Sequence, residues 1–273
     1  MNAFEKFLAL LDGRMNTPPA FGWFHLLAIA LVIVGIVVVC LTCRNISDKK
    51  FRIIVLCVSL LLIGFEIYKQ LNFSYDPSTD TWDYQWYAFP FQFCSTPMYV
   101  MLLIACLKEG KFRDFLCSFL ATFGLFAGLI VMIVPGDVFI STIGINIQTM
   151  VHHGAMVVMG VFMYVSGKAK IEHKTVLKGA AVFAVFVVVA FGSNMLFHHF
   201  GNGENFNMFY IGPYIPCHLP VLSTIWPLVP YPIWLIIYLV GFTAAAYIML
   251  LAAMLIKKIV QKVKNNKQNN IAT

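Results

Sequence analysis

Seven stretches of about 20 mostly apolar residues, each long enough to cross a hydrocarbon core as a helix, run through this 273-residue chain. They lie near Phe21 to Cys43, Ile53 to Phe73, Ala88 to Leu107, Phe115 to Val134, Ile147 to Ser166, Val176 to Phe197 and Tyr231 to Ile256. Chain breakers separate them: Pro18-Pro19 before the first, Asp76-Pro77 after the second, Pro135-Gly136 after the fourth and a Pro-rich stretch before the seventh. The first run is too long for a signal-peptide core and has no small-residue cleavage site behind it, so it reads as a retained helix. Charged residues make up 11% of the chain against about 25% in soluble domains, which excludes an ordinary soluble protein. The expected fold is an all-α polytopic membrane protein, a bundle of seven transmembrane helices. Residues 1–20 form an outer N-terminal segment, 21–258 the transmembrane domain with an outer loop at 201–230, and 259–273 a basic cytoplasmic tail.

The net charge of +7 reports orientation and implies no nucleic-acid partner. Sixteen of the nineteen Lys and Arg fall in the first, third and fifth loops and the tail, the last including Lys257, Lys258, Lys262, Lys264 and Lys267. Cytoplasmic loops are enriched in these residues, which places the N-terminus outside and the C-terminus in the cytoplasm. Phe4, Phe7, Leu8 and Leu11 have helical spacing, so the segment before the first run is either a short amphipathic helix on the outer surface or a disordered tail. The outer loop at 201–230 is long and too apolar for disorder, and is expected to fold back over the outer mouth. The seven cysteines show neither a disulfide framework nor zinc-module spacing. The seventh run has no Lys before Lys257, which excludes a retinal protein.

Polar residues inside a span are costly and are functional candidates by default. Position along a helix, at about 1.5 Å per residue, converts to depth. Glu66, Gln92 with Cys94, the His152-His153 pair, His25 and Asn194 then all fall roughly 5 to 10 Å below the outer boundary, and five helices supply one layer. Such a pocket suits a lipid substrate and equally the outer vestibule of a transporter. A thiol beside an imidazole makes a nucleophile and base, with Glu66 or Gln92 available to fix the imidazole tautomer. Plainer readings stand beside this one. Cys94 is a small hydrophobe or pairs with Cys217, and Glu66 is neutralised by Lys69 one turn away. His198-His199 is an interfacial pair, and Gly124 with Gly128 is a small-xxx-small packing pair. Cys, His and Glu are also metal ligands, but no spacing resembles a metal motif, and no metal or other cofactor is expected.

The motifs Phe21-Gly22-Trp23-Phe24-His25, Glu66, Phe89-Pro90-Phe91-Gln92-Phe93-Cys94, Gln148 through His152-His153-Gly154, and Asn207-Met208-Phe209 span most of the chain. With them the chain resembles the YwaF-like family of bacterial integral membrane proteins, related to the eukaryotic transmembrane protein 164. That resemblance implies a multi-pass protein of the bacterial cytoplasmic membrane. The eukaryotic relatives look like acyltransferases that move fatty acyl chains between phospholipids, through a third-helix Cys and a fifth-helix His. Carried over, it implies Cys94 as nucleophile and His153 as base, with His152 the alternative, and a membrane lipid as substrate. Many bacterial members carry His two residues before the Cys. Here Gln92 stands there, and it can orient but not titrate. Two functions are therefore expected in competition: a lipid acyltransferase or acyl hydrolase, and a non-enzymatic transporter or lipid- or solute-binding protein using the same polar layer.

Overall fold

The computed structural model describes residues 2–201 and 205–272. Residues 202–204 of the outer loop and Thr273 of the tail lie outside the described residues, as does the side chain of Lys267. The N-terminal segment is ordered as a helix, α1 (Ala3–Leu11), because Asn2 caps it: its side chain accepts from the Glu5 N–H at 2.9 Å, and Glu5 reaches back to the Asn2 N–H. Leu8 is buried. Phe4 stacks on Trp82 at 6.4 Å between ring centroids, and the Leu11 carbonyl accepts from the Tyr68 hydroxyl at 3.1 Å. The spacing of Phe4, Phe7, Leu8 and Leu11 thus describes a helix packed on the end of the bundle.

Five helices are long and apolar enough to cross a membrane, by length and composition. They are α2 (Trp23–Thr42), α3 (Asp48–Ser74), α5 (Lys111–Ile133), α7 (His173–Phe200) and α9 (Tyr231–Ala272). The two other expected runs are helical but fall short for different reasons. In the third run the α-helix, α4 (Thr96–Cys106), begins eight residues after Ala88, following 3-10 turns at Trp86–Ala88 and Phe93–Ser95. In the fifth, α6 (Ile143–Val165) is 23 residues long. Gln148, Thr149, His152 and His153 lower its hydropathy, and all four are buried. With fourteen buried residues of 23, α6 is the central post of the bundle, packed against α2, α3 and α5. A helix enclosed by protein has no need of an apolar face for lipid. A two-stranded hairpin (β1, Tyr75–Asp76; β2, Thr81–Trp82), with Tyr75 opposite Trp82, and a one-turn helix α8 (Leu222–Ile225) complete the elements. The tail continues α9 to Ala272 without a break. At 1.5 Å per residue its 42 residues extend about 63 Å, twice the thickness of a hydrocarbon core.

Glycines set the spacing at the centre. A Cβ on Gly128 of α5 would lie 2.6 Å from the His153 carbonyl oxygen of α6, and one on Gly160 of α6 would lie 3.0 Å from the Leu120 carbonyl oxygen. Leu120 opens a π turn in α5 at Leu120–Gly124, so Gly160 sits against the distorted stretch of its neighbour. Of the expected Gly124 and Gly128 pair, Gly128 makes the close approach. The nearest atom to a Cβ on Gly124 is Leu120 Cδ2 of the same helix at 3.5 Å, an ordinary contact.

Loops sort to two ends. At one, the first, third and fifth loops share an ion network: Arg113 donates to Asp48 and, at 3.2 Å, to Glu109, while Lys168 donates to Asp48 at 2.8 Å and to Glu109. Arg113 and Lys168 also stand 5.5 and 5.3 Å from the Phe51 ring centroid. At the other end, Arg14 pairs with Thr142 in a β-bridge, and the segment before α4 joins the loop after α7 through Gln92.

Candidate functional site

Cys94 lies in the 3-10 turn Phe93–Ser95, ahead of α4. Pro97 starts that helix at a position where its missing N–H is not needed. Depth for Gln92 and Cys94 therefore does not follow from the α-helical rise, because the chain reaches them through irregular backbone. The Tyr99 hydroxyl holds the Pro90 carbonyl at 2.8 Å, and the Thr96 hydroxyl holds the Phe93 carbonyl at 2.8 Å. The Cys94 thiol is half-buried and free, as is the buried Cys217, so the two do not form a disulfide here.

The histidine doublet of α6 splits its work. His152 Nε2 meets the Cys94 carbonyl oxygen at 2.9 Å. An oxygen can only accept, so Nε2 carries the proton and Nδ1 the lone pair. That Nδ1 is buried without a hydrogen-bond partner among the described residues. His153 Nδ1 meets the Thr149 carbonyl oxygen, one turn back, at 2.8 Å, which leaves its lone pair on Nε2 with no hydrogen-bond partner among the described residues. The two rings are 5.5 Å apart. Both imidazoles thus present one vacant basic nitrogen, and one of the rings is fastened to the backbone of Cys94. Neither ring makes a hydrogen bond to the Cys94 sulfur.

Glu66 joins this group as half of an ion pair. Its Oε1 lies 2.7 Å from Lys69 Nζ and accepts from Gln70 Nε2 at 2.8 Å; Gln70 also donates to the Ala88 carbonyl at 2.7 Å. The neutralised reading of Glu66 is the one observed. The pair stands close enough to act electrostatically on both Cys94 and His152.

Three sequence candidates are committed elsewhere. His25 accepts from the Phe21 N–H on Nδ1 at 3.0 Å and donates from Nε2 to the Met132 carbonyl at 2.9 Å, with Phe139 across its ring. Both nitrogens are occupied, and the residue ties α2 to α5 within a separate apolar cluster that includes Phe24 and Phe139. Gln92 donates to the Asn207 carbonyl at 3.1 Å and accepts from the Phe209 N–H at 2.9 Å. Asn194 donates to the Met208 carbonyl at 3.0 Å and accepts from the Met208 N–H at 2.7 Å. The common layer therefore resolves into a Cys94, His152, His153, Glu66 and Lys69 group, a His25 strut, and two amides that grip one strap of the outer loop.

That strap belongs to the outer loop expected to fold back over the bundle, and its backbone conformation is the part sequence reasoning missed. Phe209 and Tyr210 both adopt left-handed backbone, with φ of 59° and 55°. For bulky side chains this costs on the order of 1–3 kcal/mol each, and the sequence offers no glycine there as a signal. The conformation persists because other elements over-determine it. Besides Gln92 and Asn194, the Tyr238 hydroxyl holds the Phe209 carbonyl at 3.1 Å and the Tyr231 hydroxyl holds the Ile211 carbonyl at 2.6 Å. The Asn207 side chain accepts from the Gly212 N–H at 2.7 Å and closes the loop on itself. The Phe209 ring is 5.8 Å from Phe91 and 5.7 Å from Phe93. A cavity of about 230 Å³ between α7 and this loop is lined by Asn194, Phe197, His198, Tyr214 and neighbours, and does not reach Cys94. Among the described residues no group of three or more His, Cys, Asp or Glu could hold a metal ion.

An all-α bundle with several membrane-length apolar helices and a polar group enclosed around its central helix defines a multi-pass membrane protein. More narrowly, the model of the TMEM164 family matches residues 20–255, and the chain belongs to that family. No curated protein and no solved structure matches it.

Proposed function

We propose that the chain crosses the membrane of a bacterial cell seven times with its N-terminus outside, and that Cys94 is the nucleophile of a lipid acyl-transfer or acyl-hydrolysis site. The observation that supports this is a free cysteine whose carbonyl is bonded to the His152 ring, with the His153 ring 5.5 Å from that one and a vacant nitrogen on each imidazole. His153 is the base: its Nδ1–H on Thr149 fixes the tautomer that leaves Nε2 able to take the thiol proton. The resulting thiolate attacks the ester carbonyl carbon, a C–S bond forms, and the departing alkoxide recovers the proton from the imidazolium. The thioester then passes its acyl group to a second alcohol or to water. His152 is a positioning residue that fixes the main chain of Cys94. On this reading the thiol–imidazole hydrogen bond forms only when substrate binds, because catalytic bonds are often incomplete in ligand-free sites. The first, third and fifth loops meeting at one end of the bundle support the alternating topology, and their Lys and Arg support that end as the cytoplasmic one.

Purified protein incubated with phosphatidylcholine labelled in its acyl chain should acquire a hydroxylamine-sensitive label that is lost in Cys94→Ala and strongly reduced in His153→Ala. Label persisting in Cys94→Ala refutes the nucleophile. Because the sulfur makes no hydrogen bond to either ring, a second reading is kept: non-covalent binding of a lipid or solute by the same polar group. It expects no label at all, and bound phosphatidylcholine retained in Cys94→Ser but lost in Glu66→Gln.

A further inference from the structure

The apolar run of α9 from Tyr231 to Ile256 is about 39 Å long at 1.5 Å per residue, roughly 9 Å more than a hydrocarbon core, and the helix then continues unbroken to Ala272. The Tyr247 hydroxyl and His173 Nδ1 of α7 are 2.7 Å apart, which puts the emerging end of α9 beside the fifth loop. On the exposed side of α9, Ala244, Ile248, Leu251 and Leu255 follow one another at steps of three or four. This ridge does not end at the first lysines. It carries on through Ile259 and Val263 at the same step, and Ile256 and Val260 widen it; these last four residues are between 48% and 62% exposed. At about 100° per residue, Lys258 and Lys262 line one edge of the stripe and Lys257 and Lys264 the other. All four lysines are exposed and have no ion-pair or hydrogen-bond partner among the described residues. No Asp or Glu occurs from Tyr231 to Thr273.

We propose that residues 256–264 of α9 are a docking site for anionic phospholipid headgroups at the membrane face where the helix emerges. Continuity and charge together name the occupant. The stripe prolongs the ridge that lipid covers inside the bilayer, so lipid is already its neighbour one turn earlier. A span longer than the core tilts and leaves the bilayer obliquely, which keeps the stripe in the interfacial layer. The lysine stems then lie along apolar surface and their ammonium groups reach phosphate oxygens. A second copy of the chain matches the stripe but not its edges: two such helices face to face set lysine against lysine, with no carboxylate in either to pair with them. An acidic protein matches the lysines but not a ridge that begins within the bilayer. On the orientation proposed above this is the cytoplasmic face, whose leaflet carries anionic lipid. The site is independent of the acyl-transfer reading, and it lies past residue 255, where the match to the TMEM164 family ends.

The test uses the full chain in lipid discs, which leave both membrane faces open, so the outcome does not depend on orientation. Hydrogen exchange at the amides of residues 257–264 is compared between discs of phosphatidylcholine alone and discs of phosphatidylcholine mixed with phosphatidylglycerol. Each lysine at an anionic surface contributes roughly fivefold, so exchange should slow about 25-fold in the mixed discs with one lysine edge engaged, and high salt should remove the difference. Lys257→Gln, Lys258→Gln, Lys262→Gln and Lys264→Gln together should abolish it, and Ile259→Gln with Val263→Gln should weaken it with every lysine in place. These side chains are exposed, so the bundle should keep its thermal midpoint in both variants. Equal exchange in the two kinds of disc overturns the proposal, as does a difference that survives the four lysine substitutions or is untouched by the two in the stripe. Slow exchange in phosphatidylcholine alone that deepens with two chains per disc means a second copy covers the stripe, and overturns it too.

Discussion

Asn194→Leu should loosen the strap without unfolding the bundle. The leucine matches the side chain in size and removes both hydrogen bonds to Met208, a residue with no exposed surface. The Met208 carbonyl keeps a second donor, the Ile211 N–H at 3.3 Å, so the main cost is one buried N–H left unpaired, about 1–3 kcal/mol. Side-chain hydrogen bonds within membranes average nearer 0.6 kcal/mol, but the group left unpaired here is a buried backbone N–H, and about 2 kcal/mol, the middle of the first range, is expected. The backbone strain at Phe209 and Tyr210 pulls in the same direction, because release lets both residues leave the left-handed region. With tenfold per 1.4 kcal/mol, strap opening should become about 30-fold more frequent. Hydrogen exchange followed by mass spectrometry on peptides covering residues 206–212 reads this directly. Protection at the Met208 and Phe209 amides should fall by about that factor, with the amides of α6 unchanged. Unaltered protection in the strap refutes the clamp, and a uniform loss throughout the protein refutes its local character.

Gly128→Ala should lower the thermal midpoint, because its Cβ would meet the His153 carbonyl oxygen at 2.6 Å and neither backbone can yield alone; about 1–3 kcal/mol is expected. Gly64→Ala, with nothing within 4 Å of the added carbon, should leave the midpoint unchanged or raise it. Lys69→Met strands the Glu66 carboxylate in a buried position and should cost about 3–5 kcal/mol, much of which Glu66→Gln in the same chain should restore when midpoints are compared. Burial opposes the charge of Lys168, but its bonds to Asp48 and Glu109 outweigh that and raise its pKa above the ordinary 10.5. Its stabilisation is therefore complete below the ordinary value and lost as pH climbs through the raised one. Midpoints measured up to about pH 12 should fall less steeply in Lys168→Met.

The helical architecture was legible because a spanning segment announces itself locally, in length and apolarity. The start of α4 was less so: Ala88 to Ser95 is as apolar as a helix, and its irregular path is held by contacts such as the Tyr99 hydroxyl on Pro90. At the site, the shared depth of seven residues was a one-dimensional coordinate, and the direction each side chain faces around the bundle is a second one that depth does not contain. His25 faces Met132, 107 positions away, and Gln92 faces Phe209, 117 positions away, so both had plausible depth and unforeseeable partners. Glu66 with Lys69 was readable because a pair three residues apart on one helix is decided locally. The doublet His152-His153 was readable as a polar pair within an apolar run, but its separate partners depend on which ring meets Cys94 and which meets Thr149.

The enclosed position of α6 bears on how the protein is made. Polar residues raise the cost of moving a nascent segment from the translocon into lipid, and α6 carries Gln148, His152 and His153 on surfaces that only protein covers. On the seven-span reading it does not enter the bilayer as an independent unit. It enters as a client of α2 and α5, already in place, with Gly128 keeping the slot against α5 narrow. The same three side chains that are enclosed in the finished bundle thus burden the insertion of α6, and the earlier helices act as an internal chaperone for it.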